Sequence, residues 1–216
     1  MANNSSLWQD DYWILLIQLF QRKPAGVKPM YSKPMVELCL ELHLEPAFVY
    51  DKMFALRNAP TRRLKRLKEK YADNPRRLSR DAQTVRNMMG FFNESAFYDG
   101  VEMNETFEKD FRPLPRTEGL MPVMLILILD LYFRLTPTTM AEGTPEVREL
   151  AQLIKIKPTT IVEVMNVYQI LDPYLNRNEF MITPLLKPCQ QVWQRYGNGN
   201  IEQLAALAAQ MKMFFE

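Results

Sequence analysis

Apolar residues recur along this chain at spacings of three and four, the period of an amphipathic helix. Asp10 and Asp11 open a first such segment, whose apolar face is Trp13, Leu16, Ile17 and Phe20. It stops before Pro24, and residues 23–31 have loop composition, with Pro24, Gly26 and Pro29. Ser32 reads as the N-cap, with Pro34 in the first turn, of a helix over residues 33–42. A tight turn at His43, Leu44 and Glu45 leads to Pro46, which opens a third helix ending near Arg57. Past Asn58-Ala59-Pro60, Thr61 caps a helix with Leu64, Leu67 and Tyr71 on one face. Asn74-Pro75 then starts a helix striped by Leu78, Ala82, Val85, Met89 and Phe92. Over residues 93–118 the period fails. Acids, two prolines and Gly100 make that stretch read as an acidic linker between two domains, residues 1–92 and 119–216.

The second half repeats the same punctuation. A helix is expected over residues 121–135, and its apolar run, broken by Asp130, is too short for a membrane span and suits a buried core helix. Thr144-Pro145-Glu146 starts a helix to about Lys155, and Pro158 opens one that stops before Pro173. Residues 174–183 hold Asn176-Arg177-Asn178 between apolar flanks, the one hairpin signal in the chain. Helices over residues 184–196 and 200–215 complete the half.

Sliding the sequence by 112 residues lays residues 12–57 on residues 124–169 without a gap, with eight identical pairs in 46. Among them are Leu19/Leu131, Leu38/Leu150, Pro46/Pro158 and Met53/Met165. Caps, turn and proline coincide although each has its own physical cause. A later pairing, Lys70-Tyr71 with Arg195-Tyr196, has an offset of 125, so the second half holds about 13 extra residues around the hairpin. The reading is a duplicated helical unit. The alternative is two unrelated helical halves with ordinary helix punctuation.

Leu150-Ala151, Ile154, Ile156, Pro158, Ile161 and Val164 fall in a pattern that resembles the helix-turn-helix family. The first copy reads Leu38-Cys39, Leu42, Leu44, Pro46 and Val49. The resemblance implies a mainly α fold of duplicated three-helix units with further amphipathic helices, the hairpin forming a winged-helix wing in the second. The family usually places glycine in the turn, where φ is positive; this chain has His43 and Lys155. In that family the second helix enters the major groove of DNA. Carried onto this chain, its outward positions are Pro46, Ala47, Tyr50, Asp51 and Phe54, and Pro158, Thr159, Val162, Glu163 and Asn166. Asp51 and Glu163 share one repeat position and would face the phosphates. Neither face offers an Arg or Lys fork for guanine. Tyr50, Phe54, Val162 and Asn166 therefore read as a protein interface.

Charge changes the picture in one place. Arg62, Arg63, Lys65, Arg66, Lys68, Lys70, Arg76, Arg77 and Arg80 face only Glu69 and Asp73 within the same stretch, a local net of +7 in a chain of net +2. Such a cluster can bind phosphate backbone without sequence preference, and Arg177 at the hairpin joins the candidate contacts. The alternative is a solvated helix face paired with the linker acids Glu94, Asp99, Glu102, Glu105, Glu108, Asp110 and Glu118.

Composition adds exclusions. Apolar residues at 47% and charged ones at 24% are globular values, not those of a disordered chain. Two Cys and one His exclude a disulfide scaffold and most zinc sites. His43 is the sole histidine and falls in a helix–helix turn, so a nucleophile–histidine arrangement has no good candidate. The residues after Met1 show no signal peptide. The expectation is a cytoplasmic, non-enzymatic regulatory or adaptor module without cofactor, metal, membrane or small-molecule substrate. Its partners would be nucleic-acid backbone and a protein or second copy. The alternative is a pure protein-interaction scaffold.

Overall fold

The structure, a computed structural model, describes residues 8–89, 107–115, 117, 119–175, 177 and 181–216. The chain divides into two compact units, Met1–Asn104 and Glu105–Glu216. Eleven α-helices lie among the described residues. The first unit holds α1 (Tyr12–Gln21), α2 (Lys33–Leu42), α3 (Pro46–Asn58), α4 (Arg62–Ala72) and α5 (Pro75–Met89). The second holds the four-residue α6 (Phe107–Asp110), then α7 (Pro122–Arg134), α8 (Pro145–Ile154), α9 (Pro158–Leu171), α10 (Leu186–Tyr196) and α11 (Ile201–Lys212). The protein is mainly α.

In the first unit α1 packs against α2, α3 and α5. Leu15, Leu16, Ile17, Met35, Val36, Leu44, Val49, Met53 and Leu56 form the buried interior. Polar ties fix the helix ends. Arg86 on α5 forks onto Glu41 of α2 and donates to Gln18 of α1, while Gln21 Nε2 donates to the Tyr71 carbonyl at the end of α4. Lys28 lies in the loop before α2 and is itself buried; its ammonium donates to the Arg22 and Pro24 carbonyls. Burial, reinforced by the charge of Arg22, lowers its pKa.

In the second unit α7 is the central helix, buried on every side from Pro122 to Tyr132. It packs against α6, α8, α9, α10 and α11. Its one acid, Asp130, is paired one turn on with Arg134 at 2.9 Å. Tyr132, Tyr168 and Trp193 cluster with centroids 5.9–6.0 Å apart, and the Tyr168 hydroxyl donates to the Leu125 carbonyl. No helix among the described residues is long and apolar enough to cross a membrane.

The helices fall where the 112-residue shift places them. The bounds of α2 and α8 differ by that shift, as do the starts of α3 and α9. The turns match in conformation: His43 has φ 54 and ψ 39, Lys155 φ 58 and ψ 42. In each the next amide returns to a carbonyl five residues back, Leu44 N to Cys39 O and Ile156 N to Ala151 O, both at 3.1 Å. This bond satisfies an orphan carbonyl of the helix end and turns the chain into the next helix. At the 125-residue offset the fourth helices each place a side chain on an aromatic of the first long helix of their unit. Lys68 on α4 lies over the Phe20 ring at 5.2 Å, and Trp193 on α10 meets Tyr132 at 6.0 Å. Leu78, Ala82 and Val85 of α5 have the spacing of Leu204, Ala208 and Met211 of α11, and all six are buried.

Several expectations need correction. The wing over residues 174–183 is not supported. No strand occurs among the described residues, and those on either side of Arg177 form a turn (residues 173–175) or irregular chain (residues 181–183). Tyr174 and Ile182 are 91% and 88% exposed, so no partner strand covers the apolar residues that suggested it. Asn176, Asn178, Glu179 and Phe180 lie outside the described residues. The acidic linker is shorter than read. Residues 93–106, 116 and 118 lie outside the described residues, but α6 belongs to the second unit, where Glu108 and Asp110 are buried. Ser32 and Thr144 precede their helices without capping them; their hydroxyls donate backward to the Pro29 and Thr139 carbonyls. Pro46, expected outward, is buried.

Candidate nucleic-acid interface

Helix α4 starts because Thr61 Oγ1 accepts the Leu64 amide at 3.2 Å, satisfying one orphan donor. Its sequence alternates apolar and basic residues at helical spacing. Leu64 and Tyr71 are buried and Leu67 half-buried, so the cations take the other faces. Arg62, Arg63, Lys65, Arg66 and Lys70 are exposed; Lys68 is half-buried. On α5 the buried stripe Leu78, Ala82 and Val85 leaves Arg76, Arg77 and Arg80 exposed. The structure thus brings all nine predicted cations of this segment onto two consecutive, mutually packed helices of one unit.

Some of these cations have structural ties. Arg63 meets Asp10 at 2.7 Å, but both side chains are more than half exposed, so this pair contributes little. Arg77 and Arg80 flank Asp81, which accepts the Tyr71 hydroxyl at 2.8 Å. That hydrogen bond first, then Arg80, Lys70 and Arg77, holds the Asp81 carboxyl below the ordinary aspartate range. Lys70 also donates to Tyr71, and Lys68 to the Arg57 carbonyl. Arg62, Lys65, Arg66 and Arg76 have no ion pair or hydrogen bond among the described residues. Of the expected acidic partners, Asp110 is committed within the second unit to a two-point fork from Arg195, both distances 2.7 Å. Arg177 also belongs to the second unit, where it is exposed and near enough to Tyr132 for its charge to act on that hydroxyl.

Sequence reasoning missed what lies beside the cations. A groove of about 660 Å³ runs between α1, the end of α3 and α4. Trp13, Ile14, Ala55, Leu64 and Leu67 give it apolar lining. Lys52, Arg63, Arg66 and Lys70 line it too, together with Asp10 and Asp11. Trp13 meets the edge of Trp8 at 5.0 Å, and Lys52 stands 5.9 Å from its centroid. Nothing local in the sequence links Trp13 to cations some fifty residues later.

The second helices point outward largely as the repeat implied. Ala47, Asp51 and Phe54 are exposed on α3, and Tyr50 meets Phe54 edge-on at 5.1 Å. On α9, Thr159, Glu163 and Asn166 are exposed and Val162 half-buried. His43 occupies the turn after α2. Cys39 and Cys189 are buried free thiols; burial raises both, Cys189 to about 12. No group of His, Cys, Asp and Glu among the described residues could hold a metal. No protein-family model, curated protein or solved structure matches this chain.

Proposed function

We propose that the chain is a non-enzymatic regulatory or adaptor module that binds nucleic-acid backbone through Arg62, Arg63, Lys65, Arg66, Lys70, Arg76, Arg77 and Arg80. One observation carries the reading: these eight side chains are exposed on α4 and α5, and four of them have no partner among the described residues. Cations left in water on one pair of helices release counterions when they meet phosphates. The scaffold is a duplicated helix-turn-helix-like unit, supported by the matched turns at His43 and Lys155 and the coincident helix bounds. Its second helices do not read bases, because Asp51 and Glu163 stand exposed on their outward faces. The exposed Phe54, packed edge-on against the half-buried Tyr50, favours a protein partner for that surface.

The test is fluorescence anisotropy of the full chain with mixed-sequence nucleic acid across a salt series. Affinity should fall steeply with salt and vary little with sequence. Replacing Arg62, Arg63, Lys65 and Arg66 by alanine should flatten the log–log salt slope by roughly 3 to 4, about 0.9 for each phosphate no longer neutralised. Absence of binding at low salt sinks this reading and leaves the protein-interaction scaffold.

A further inference from the structure

We propose that the groove beside the cation patch receives an unpaired base, so that the nucleic acid bound is single-stranded. This rests on the nucleic-acid reading above and narrows it. The helix faces of α4 and α5 offer phosphate contacts to any strand and cannot distinguish a duplex from an open one. The groove can, because it joins an aromatic ring to three cations of the same patch. Trp13 lines it together with Ile14, Ala55, Leu64 and Leu67, while Arg63, Arg66 and Lys70 line it from α4. A base has two flat, poorly hydrated faces and a charged phosphate one sugar away. An indole with apolar neighbours can take the face, and guanidinium or ammonium groups the phosphate. Proteins that hold single strands combine these two elements and tolerate all sequences, since every base has a π-face. A duplex keeps its bases stacked within and has none to offer.

Size and charge are compatible. About 660 Å³ lies within the range of pockets that enclose small organic ligands, so a nucleotide fits. Of the two acids in the groove, Asp10 is held by Arg63 at 2.7 Å. Lys52, Arg63, Arg66 and Lys70 outnumber Asp10 and Asp11 by four to two, leaving a net positive groove. Lys52 stands over Trp8 and Phe48 at 5.2 and 5.0 Å, at the α3 side.

The experiment compares labelled oligothymidylate with a labelled mixed-sequence blunt-ended duplex of two strands, at one salt concentration, on the full chain. Oligothymidylate should bind roughly ten-fold tighter, the size expected of one base–indole stack, and should quench tryptophan emission. Ala55→Phe fills the groove and leaves every cation in place. It should remove the single-strand advantage while duplex affinity stays unchanged. Trp13→Leu should act in the same direction, with circular dichroism reporting that the helices persist. Equal affinity for the two probes, or an advantage that survives Ala55→Phe in a folded protein, overturns the inference while the backbone reading stands. Binding to neither probe overturns the backbone reading itself.

Discussion

Lys155 is a long, charged L-residue in the left-handed region, at φ 58 and ψ 42. A Cβ in that conformation crowds the carbonyl oxygen and costs about 1–2 kcal/mol. Glycine removes the crowding but gives the unfolded chain more freedom, which returns roughly 0.4–1 kcal/mol. Lys155→Gly should therefore stabilise the second unit by about 0.5–1 kcal/mol. The turn's hydrogen bonds, from the Lys155 and Ile156 amides to the Ala151 carbonyl, are backbone bonds and survive the change. The side chain is exposed and has no ion pair among the described residues, so losing its charge changes little.

Lys155→Ala is the control. It removes the same charge and keeps the Cβ, so it should match the natural protein within a few tenths of a kcal/mol. Urea denaturation of the three proteins gives the answer: the glycine variant should have the higher midpoint at an unchanged slope. Lys155 serves better than His43, which has further interactions of its own. A glycine variant no more stable than the alanine variant would show that residue 155 is not left-handed. The matched turns, and with them the helix-turn-helix-like scaffold, would then fall.

Leu42→Ala and Ile154→Ala truncate buried residues 112 positions apart, 5% and 1% exposed, and each should cost about 2–5 kcal/mol by thermal or urea unfolding; a loss below 1 kcal/mol at either would show that its helix does not close the core. Asp81 should shape the acid limb of stability. Because its folded pKa lies below the unfolded value, its contribution is full above the ordinary aspartate value, about pH 4, and fades as pH falls through the lower native one. Asp81→Asn should flatten that limb in urea midpoints measured against pH, and superimposable profiles would contradict the Tyr71–Asp81 tie.

What the sequence made legible was local. Prolines at positions 46, 145 and 158 begin helices because their missing amide hydrogen is an orphan there. Leu38, Leu42, Leu150 and Ile154 are buried because helical spacing puts them on one side. The cations of α4 and α5 were readable as a cluster because they are neighbours in sequence. What needed three dimensions was long-range. Lys28 sits in a stretch of loop composition, yet nearby carbonyls satisfy its ammonium well enough to bury it. Asp110 reads as one more linker acid until Arg195, 85 residues on, is seen to hold it. Trp13 reads as core lining, and only the packing of the first unit's helices sets it in one groove with Arg66. The hairpin signal misled because turn-forming residues between apolar ones need a partner strand, which composition cannot supply.

The Asp110–Arg195 fork also decides how the chain can be dissected. Asp110 is 3% exposed and bonded at both oxygens, and the ring of Phe111 after it packs at a tilt against Phe214, centroids 5.0 Å apart. A recombinant fragment begun at the loop before α7 would keep five long helices and look whole. It would nevertheless strand the Arg195 guanidinium without its counter-charge and uncover the ring of Phe214. The second unit is thus fastened by a strap that precedes its central helix in sequence. Expression of that half by itself should start upstream of Phe107.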